Sequence, residues 1–187
     1  MPPKARTTKE MIIDAAFEIA RETGAEAINA RTVSNKLGCS TQPVMYHFKT
    51  IEELKKAVYS RADAYHSAFI MDMPGGDPMK DMGLNYIRFA AMEKNLFRFL
   101  FQSNEFSGQN ISQLIEAEAL QPVIAMVCQA AQADTTQAKT IFRTLFLFVH
   151  GYASMFANNE MPYDEQAVLS DLELIFDGAV HAARGGS

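Results

Sequence analysis

Asn29-Ala30-Arg31-Thr32-Val33-Ser34-Asn35-Lys36-Leu37-Gly38-Cys39-Ser40-Thr41-Gln42-Pro43-Val44-Met45-Tyr46-His47-Phe48-Lys49-Thr50 reads as two short helices joined by a tight turn. Asn29 is a good N-cap, because its side-chain oxygen can accept an otherwise unpaired amide of the first turn. Val33 and Leu37, four apart, give the first helix its buried side. Gly38 ends it, since glycine reaches the left-handed conformation without steric cost. Ser40 restarts the chain as an N-cap, and Pro43 is tolerated in a first turn whose amides have no helical partner. Val44 and Phe48 turn inward. Thr41, Gln42, Met45, Tyr46 and His47 are left facing wholly or partly outward, a polar and aromatic face suited to a DNA groove. By itself the pattern fits any αα-hairpin of a helical protein equally well.

The flanking sequence narrows the choice. Ile12, Ala16 and Ile19 recur at helical spacing, with Ile13, Phe17 and Ala20 widening the stripe, and Gly24 stops that helix. Thr7 with Glu10, and Thr50 with Glu53, have the spacing of capping boxes. The second of these opens a helix through Leu54 and Val58 to about Ala68. The run from Ile12-Ile13-Asp14-Ala15-Ala16-Phe17 through Gly24 and Leu37-Gly38-Cys39-Ser40 to His47-Phe48-Lys49-Thr50 and Glu53-Leu54 resembles the N-terminal domain of the tetracycline-repressor (TetR) family of transcriptional regulators. The resemblance covers residues 7 to 60. It departs from the family pattern twice. Met45 stands where the family has tyrosine two residues before the histidine, and the tyrosine follows at Tyr46. Ile51 stands where a lysine is frequent, leaving Lys49 as the nearest cation.

Composition agrees with a small soluble protein. The chain has 187 residues, 48% hydrophobic and 21% charged, with net charge −5. Residues 1–66 hold 10 Lys/Arg against 8 Asp/Glu, and the remainder 7 against 14, so the basic surplus lies with the helix-turn-helix. Glu10, Asp14, Glu18, Glu22 and Glu26 dilute that surplus. Lys4, Arg6 and Lys9 suit either a phosphate-touching arm or a solvated terminus. No apolar run is long enough for a membrane span, and the first residues lack the apolar core of a secretory signal. Cys39 and Cys128 are far apart, which suggests a reducing, cytoplasmic setting, and Cys39 is expected to pack as a small apolar residue.

Beyond the break at Pro74-Gly75-Gly76-Asp77-Pro78 the chain reads as long apolar helical stripes without strand alternation. Tyr86, Phe89, Ala90, Leu96, Phe97, Leu100 and Phe101 form one block, and 102 to 110 a polar loop. Ile111 to Ala131 is helical, with Pro122 kinking it or starting a new helix. Thr136 to Asn158 and Asp164 to Ala183 are the last two helices. Their stripes, containing Phe142, Val149 and Phe156, then Leu172, Ile175 and Ala179, are wide enough to suggest a dimer interface closing a four-helix bundle. Mid-helix Gly151 costs about 1 kcal/mol relative to alanine, so a close helix crossing is expected there.

The fold class expected is all-α: a three-helix helix-turn-helix domain over 7–67, its motif at about 30–49, and a helical effector-binding and dimerisation domain over 68–187. The DNA-facing set is Arg31, Thr41, Gln42, Pro43, Met45, Tyr46, His47 and Lys49. Thr41, Gln42 and Tyr46 are expected at the bases or groove walls, and Arg31, His47 and Lys49 at phosphates. The resemblance implies a homodimer on a double-stranded DNA operator and a small effector bound in the C-terminal domain. The flexible methionines and aromatics there suit an adaptable apolar pocket, with Phe89, Met92, Phe97, Phe101, Met126 and Phe146 as candidates. No cofactor, metal or catalytic residue is expected: His47, His66, His150 and His181 are scattered, and no Gly-x-Ser-x-Gly or paired Cys-x-x-Cys occurs. The alternatives to a ligand-responsive repressor are a helical interaction protein that has lost DNA binding and an enzyme using the apolar pocket.

Overall fold

The computed structural model describes residues 7–73, 75–102 and 110–185, and these are helical with no strand among them. The expected arm residues Lys4 and Arg6, the proline Pro74 and the loop segment 103–109 lie outside the described residues. The chain divides into two compact units: the described residues within 1–67 and 93–103 form one, and those within 68–92 and 104–187 the other.

In the first unit, α1 (Lys9–Thr23) is capped by Thr8, whose hydroxyl accepts the Met11 amide at 3.2 Å. The cap is therefore one residue later than the Thr7/Glu10 spacing suggests, and the Thr7 carbonyl is engaged elsewhere, as shown below. A 3₁₀ turn (Ala25–Ala27) leads to α2 (Ala30–Leu37) and α3 (Thr41–His47). Helix α4 (Ile51–Ile70) opens with the Glu53 amide on the Thr50 hydroxyl at 3.1 Å. Ile12, Ala16, Ile28, Val33, Val44, Phe48, Leu54, Val58 and Ala62 are buried. Helix α6 (Lys94–Phe101) completes the unit with buried Leu96, Phe97 and Leu100.

The sequence block from Tyr86 to Phe101 is two helices rather than one. It breaks at Glu93, which leaves helical geometry at φ −115°, ψ 51°. The buried Glu93 carboxylate accepts the Arg21 guanidinium through Nε and a terminal nitrogen, and the Tyr65 hydroxyl at 3.2 Å. Arg21 lies over the Tyr65 ring, 5.7 Å from its centroid. These hydrogen bonds satisfy a charge that burial alone would penalise, and they hold the Arg21 guanidinium above its usual pKa range.

The second unit contains α5 (Pro78–Met92), α7 (Ile111–Ile115), a 3₁₀ turn (Glu118–Leu120), α8 (Gln121–Ala131), α9 (Thr135–Asn158) and α10 (Glu165–Ala183). Pro122 starts a new helix rather than kinking an old one, since it falls in the first turn of α8. Asp134 and Gln137 form a capping box on α9, and Asp164 caps α10. Ile124, Val127, Ile141 and Leu145 centre its core, with Cys128 packed against them. Within the chain a close helix approach occurs at Gly83, while Gly151 faces no neighbour of its own chain. A Cβ on Gly83 would sit 3.3 Å from a Leu172 methyl, whereas one on Gly151 would meet nothing within 4 Å.

Candidate nucleic-acid interface

The geometry of the α2–α3 unit follows from its caps. The Asn29 side chain accepts the Arg31 and Thr32 amides at 3.0 Å each, and the Thr32 hydroxyl takes the Asn29 amide in return at 3.1 Å. All the first-turn amides that the cap can reach are thereby paired. Gly38 is left-handed at φ 64°, ψ 31°, and the Cys39 amide reaches back to the Ser34 carbonyl at 3.0 Å. That return bond turns the chain from α2 into α3 within three residues. Ser40 occupies the N-cap position of α3 but makes no capping hydrogen bond through its side chain.

Val44 and Phe48 anchor α3 inward, at 0% and 3% exposure. The opposite face is open. Tyr46 is 75% exposed and Met45 43%. Thr41, Gln42, Lys49 and Arg31 are also exposed, while Pro43 and His47 are half-buried. The departure noted at Met45 and Tyr46 thus leaves both side chains on the open face. The Lys49 amide is held by the Glu53 carboxylate at 2.9 Å, which fixes its backbone at the start of α4. Lys36, by contrast, is paired with Glu22 at 2.9 Å.

Two contacts that sequence reading missed tie α3 to the start of α1. His47 Nε2 lies 3.2 Å from the Thr7 carbonyl oxygen. The Lys9 ammonium sits over the Phe48 ring, 5.2 Å from its centroid. The residues in each pair stand about forty positions apart, so no local pattern could have signalled them.

The candidate effector residues are spread over both units. Phe97 and Phe101 belong to the first, where Phe97 is fully buried and Phe101 rests against His66 with ring centroids 5.0 Å apart. Phe89, Met92, Met126 and Phe146 belong to the second, where Phe89 is fully buried and Met92 is 67% exposed. On α9, Phe142, Phe146 and His150 stack in succession, and the Tyr86 hydroxyl meets His150 Nδ1 at 2.9 Å. Burial lowers the His150 pKa and raises that of Tyr86, so both groups are favoured in their neutral forms. A shallow recess of about 460 Å³ between α8 and α10, lined by Gln132, Phe176, Asp177, His181 and Arg184 among others, includes none of the six.

Of the residues expected at a dimer interface, Val149, Phe156, Leu172 and Ala179 are buried within the chain, and Phe142 and Ile175 are half-buried. The open faces of α9 and α10 carry Leu147, Met155 and Leu174, exposed by 46%, 53% and 71%, beside exposed Gly151 and Gly178. Among the described residues no cluster of His, Cys, Asp or Glu is placed to hold a metal, and no helix is long and apolar enough to cross a membrane.

Comparison with known proteins gives a family match over residues 79–183, described as the C-terminal domain of tetracyclin repressor-like proteins. A search of curated sequences gives no significant match. Among solved structures, a TetR-family member from Streptomyces coelicolor A3 superposes with a TM-score of 0.58 at 20% identity, covering 89% of this chain and 96% of that one. The multidrug binding protein EbrR, solved in complex with imidazole, gives a TM-score of 0.55 at 20% identity, covering 89% and 88%. Both show a likeness of fold.

Proposed function

This chain belongs to the tetracycline-repressor (TetR) family of ligand-responsive transcriptional regulators, and from that premise we propose that it is a repressor acting as a homodimer on a palindromic operator. The observation that carries the proposal is α3: a reading helix with Tyr46, Gln42 and Thr41 exposed on one side, locked to a buried frame by Val44 and Phe48 on the other. Thr41, Gln42 and Tyr46 are assigned to base edges and groove walls, with Pro43 and Met45 beside them. Lys49 and Arg31, both exposed, are assigned to phosphates.

Dimerisation is assigned to the open faces of α9 and α10. Gly151 and Gly178 each cost a helix about 1 kcal/mol relative to alanine, and no neighbour within the chain requires either. Flanked by exposed Leu147, Met155 and Leu174, they suit the close approach of a second copy's helices. A small, largely apolar effector is assigned to the second unit, whose Phe89, Met126 and Phe146 are the nearest match to the expected pocket. The solved complex of EbrR with imidazole fits a fold that accepts small ligands.

The test is retention of a duplex of random sequence across a salt series. Contacts with phosphates make the logarithm of affinity fall linearly with the logarithm of salt concentration, by about 0.9 per phosphate contacted. Absence of binding at low salt would favour the interaction-protein reading.

A further inference from the structure

We propose that His47 is a positioning residue for DNA reading: its Nε2–H, held by the Thr7 carbonyl oxygen at 3.2 Å, locks the last turn of α3 to the start of α1 and sets the angle of Tyr46. A carbonyl oxygen only accepts, so the bonded ring nitrogen carries the hydrogen, and the neighbour fixes the tautomer. The inference rests on the DNA-binding reading above, and it departs from the sequence expectation of a phosphate ligand.

The need for such a tie follows from the size of α3. Seven residues form too short a helix to hold its own geometry, so its orientation comes from tertiary contacts. Its N-terminal end has no side-chain cap at Ser40. Val44 and Phe48 hold one face by apolar burial, a non-directional attraction. The His47 bond supplies the directional constraint, and Lys9 over the Phe48 ring adds a second link to the same turn of α1. Met11 on the Thr8 hydroxyl and Ile12 on the Thr8 carbonyl make the receiving end rigid.

The constraint passes directly to the reader. The His47 ring stands edge-on to the Tyr46 ring, with centroids 5.2 Å apart and planes at 85°. Tyr46, the more exposed of the two, has this imidazole as the wall against which its ring rests. Freeing His47 from Thr7 therefore loosens the side chain assigned to the groove, while no phosphate contact is lost.

The experiment uses the full chain with His47→Gln and His47→Ala. Glutamine places an uncharged amide donor near the position of Nε2, and alanine removes it. Binding is measured across a salt series on a duplex enriched from a random pool and on an unselected duplex. His47→Gln is expected to bind within about twofold of wild type. His47→Ala is expected to lose roughly two- to tenfold on the enriched duplex, the equivalent of one net hydrogen bond, and less on the unselected one. The salt slope should be unchanged in both variants. A slope lowered by one phosphate's worth in both, without rescue by glutamine, would overturn the proposal in favour of direct phosphate binding. A His47→Ala chain that binds like wild type would overturn it too. Ring ¹⁵N spectra of the free protein should show a hydrogen on His47 Nε2, and a ring bare at Nε2 would dispose of the tie. If wild type binds neither duplex, the DNA reading fails and the positioning role with it, while the spectra still decide whether the tie exists.

Discussion

Side chains at two depths carry the testable chemistry at the residue scale. On the surface of α3, exposed Gln42 has two donors and an acceptor on one amide, a good match for an adenine edge in the major groove. Gln42→Ala should cost about 1–3 kcal/mol of operator binding and relax preference at one base pair. Unaltered binding and preference would displace α3 as the reading helix. Lys49→Ala should weaken all sequences alike and reduce the salt slope by about one phosphate. In the interior, burial lowers the pKa of His66 to about 4. The folded state then binds fewer protons than the unfolded state, so stability is intact above about pH 6.5 and is lost as pH falls toward 4. That loss reaches on the order of 3 kcal/mol, because each unit of pKa shift is worth about 1.4 kcal/mol. Denaturant titrations at pH 7 and pH 4.5 should show it, and His66→Phe should remove that share while leaving the carboxylate contribution. The outward face of α3 was legible in the sequence because helical spacing alone decides which residues share a side. The role of His47 was not, because its partner is a backbone carbonyl forty residues away.

Several helix boundaries were legible because a local rule sets them. Asn29 and Gly38 cap α2, and Asp164 caps α10, each through bonds within a few residues. The break at Glu93 follows no local rule. Neither glycine nor proline stands there, and the residues on both sides are good helix formers. It exists because Arg21, 72 residues earlier, and Tyr65 hold the carboxylate out of helical register. Glu93→Ala is accordingly expected to destabilise the chain by about 1–3 kcal/mol, toward the lower end because the Arg21 side chain is 41% exposed and water can take over its bonds. An unchanged urea midpoint would mean that the cluster is incidental. Helical spacing reveals that Gly151 is mid-helix, but only the three-dimensional packing shows that Gly83 is the one facing a neighbour.

At the scale of the whole molecule, the proposed function depends on two copies. One reading helix covers only a few base pairs, whereas a symmetric pair reads an inverted repeat with half-sites ~34–36 Å apart, or correspondingly farther for wider spacings. Leu174→Lys places a charge on the open face of α10, where the side chain is 71% exposed. It should leave the protomer folded and shift it to monomer in sedimentation, with operator affinity falling alongside. A variant that stays dimeric would move the interface elsewhere. The all-α class and the helix-turn-helix were legible here because they rest on periodicity, caps and a specific motif run. Whether the second unit's apolar stripes enclose a core or a cavity was not, because such stripes look alike in sequence. The central claim, sequence-specific DNA reading by a two-headed dimer, is met most directly by selecting bound duplexes from a random DNA pool. The expected result is an enriched inverted repeat, with one base position in each half-site losing its preference when Gln42→Ala is used. A pool that stays random after repeated rounds, or that enriches a single unrepeated site, would contradict it.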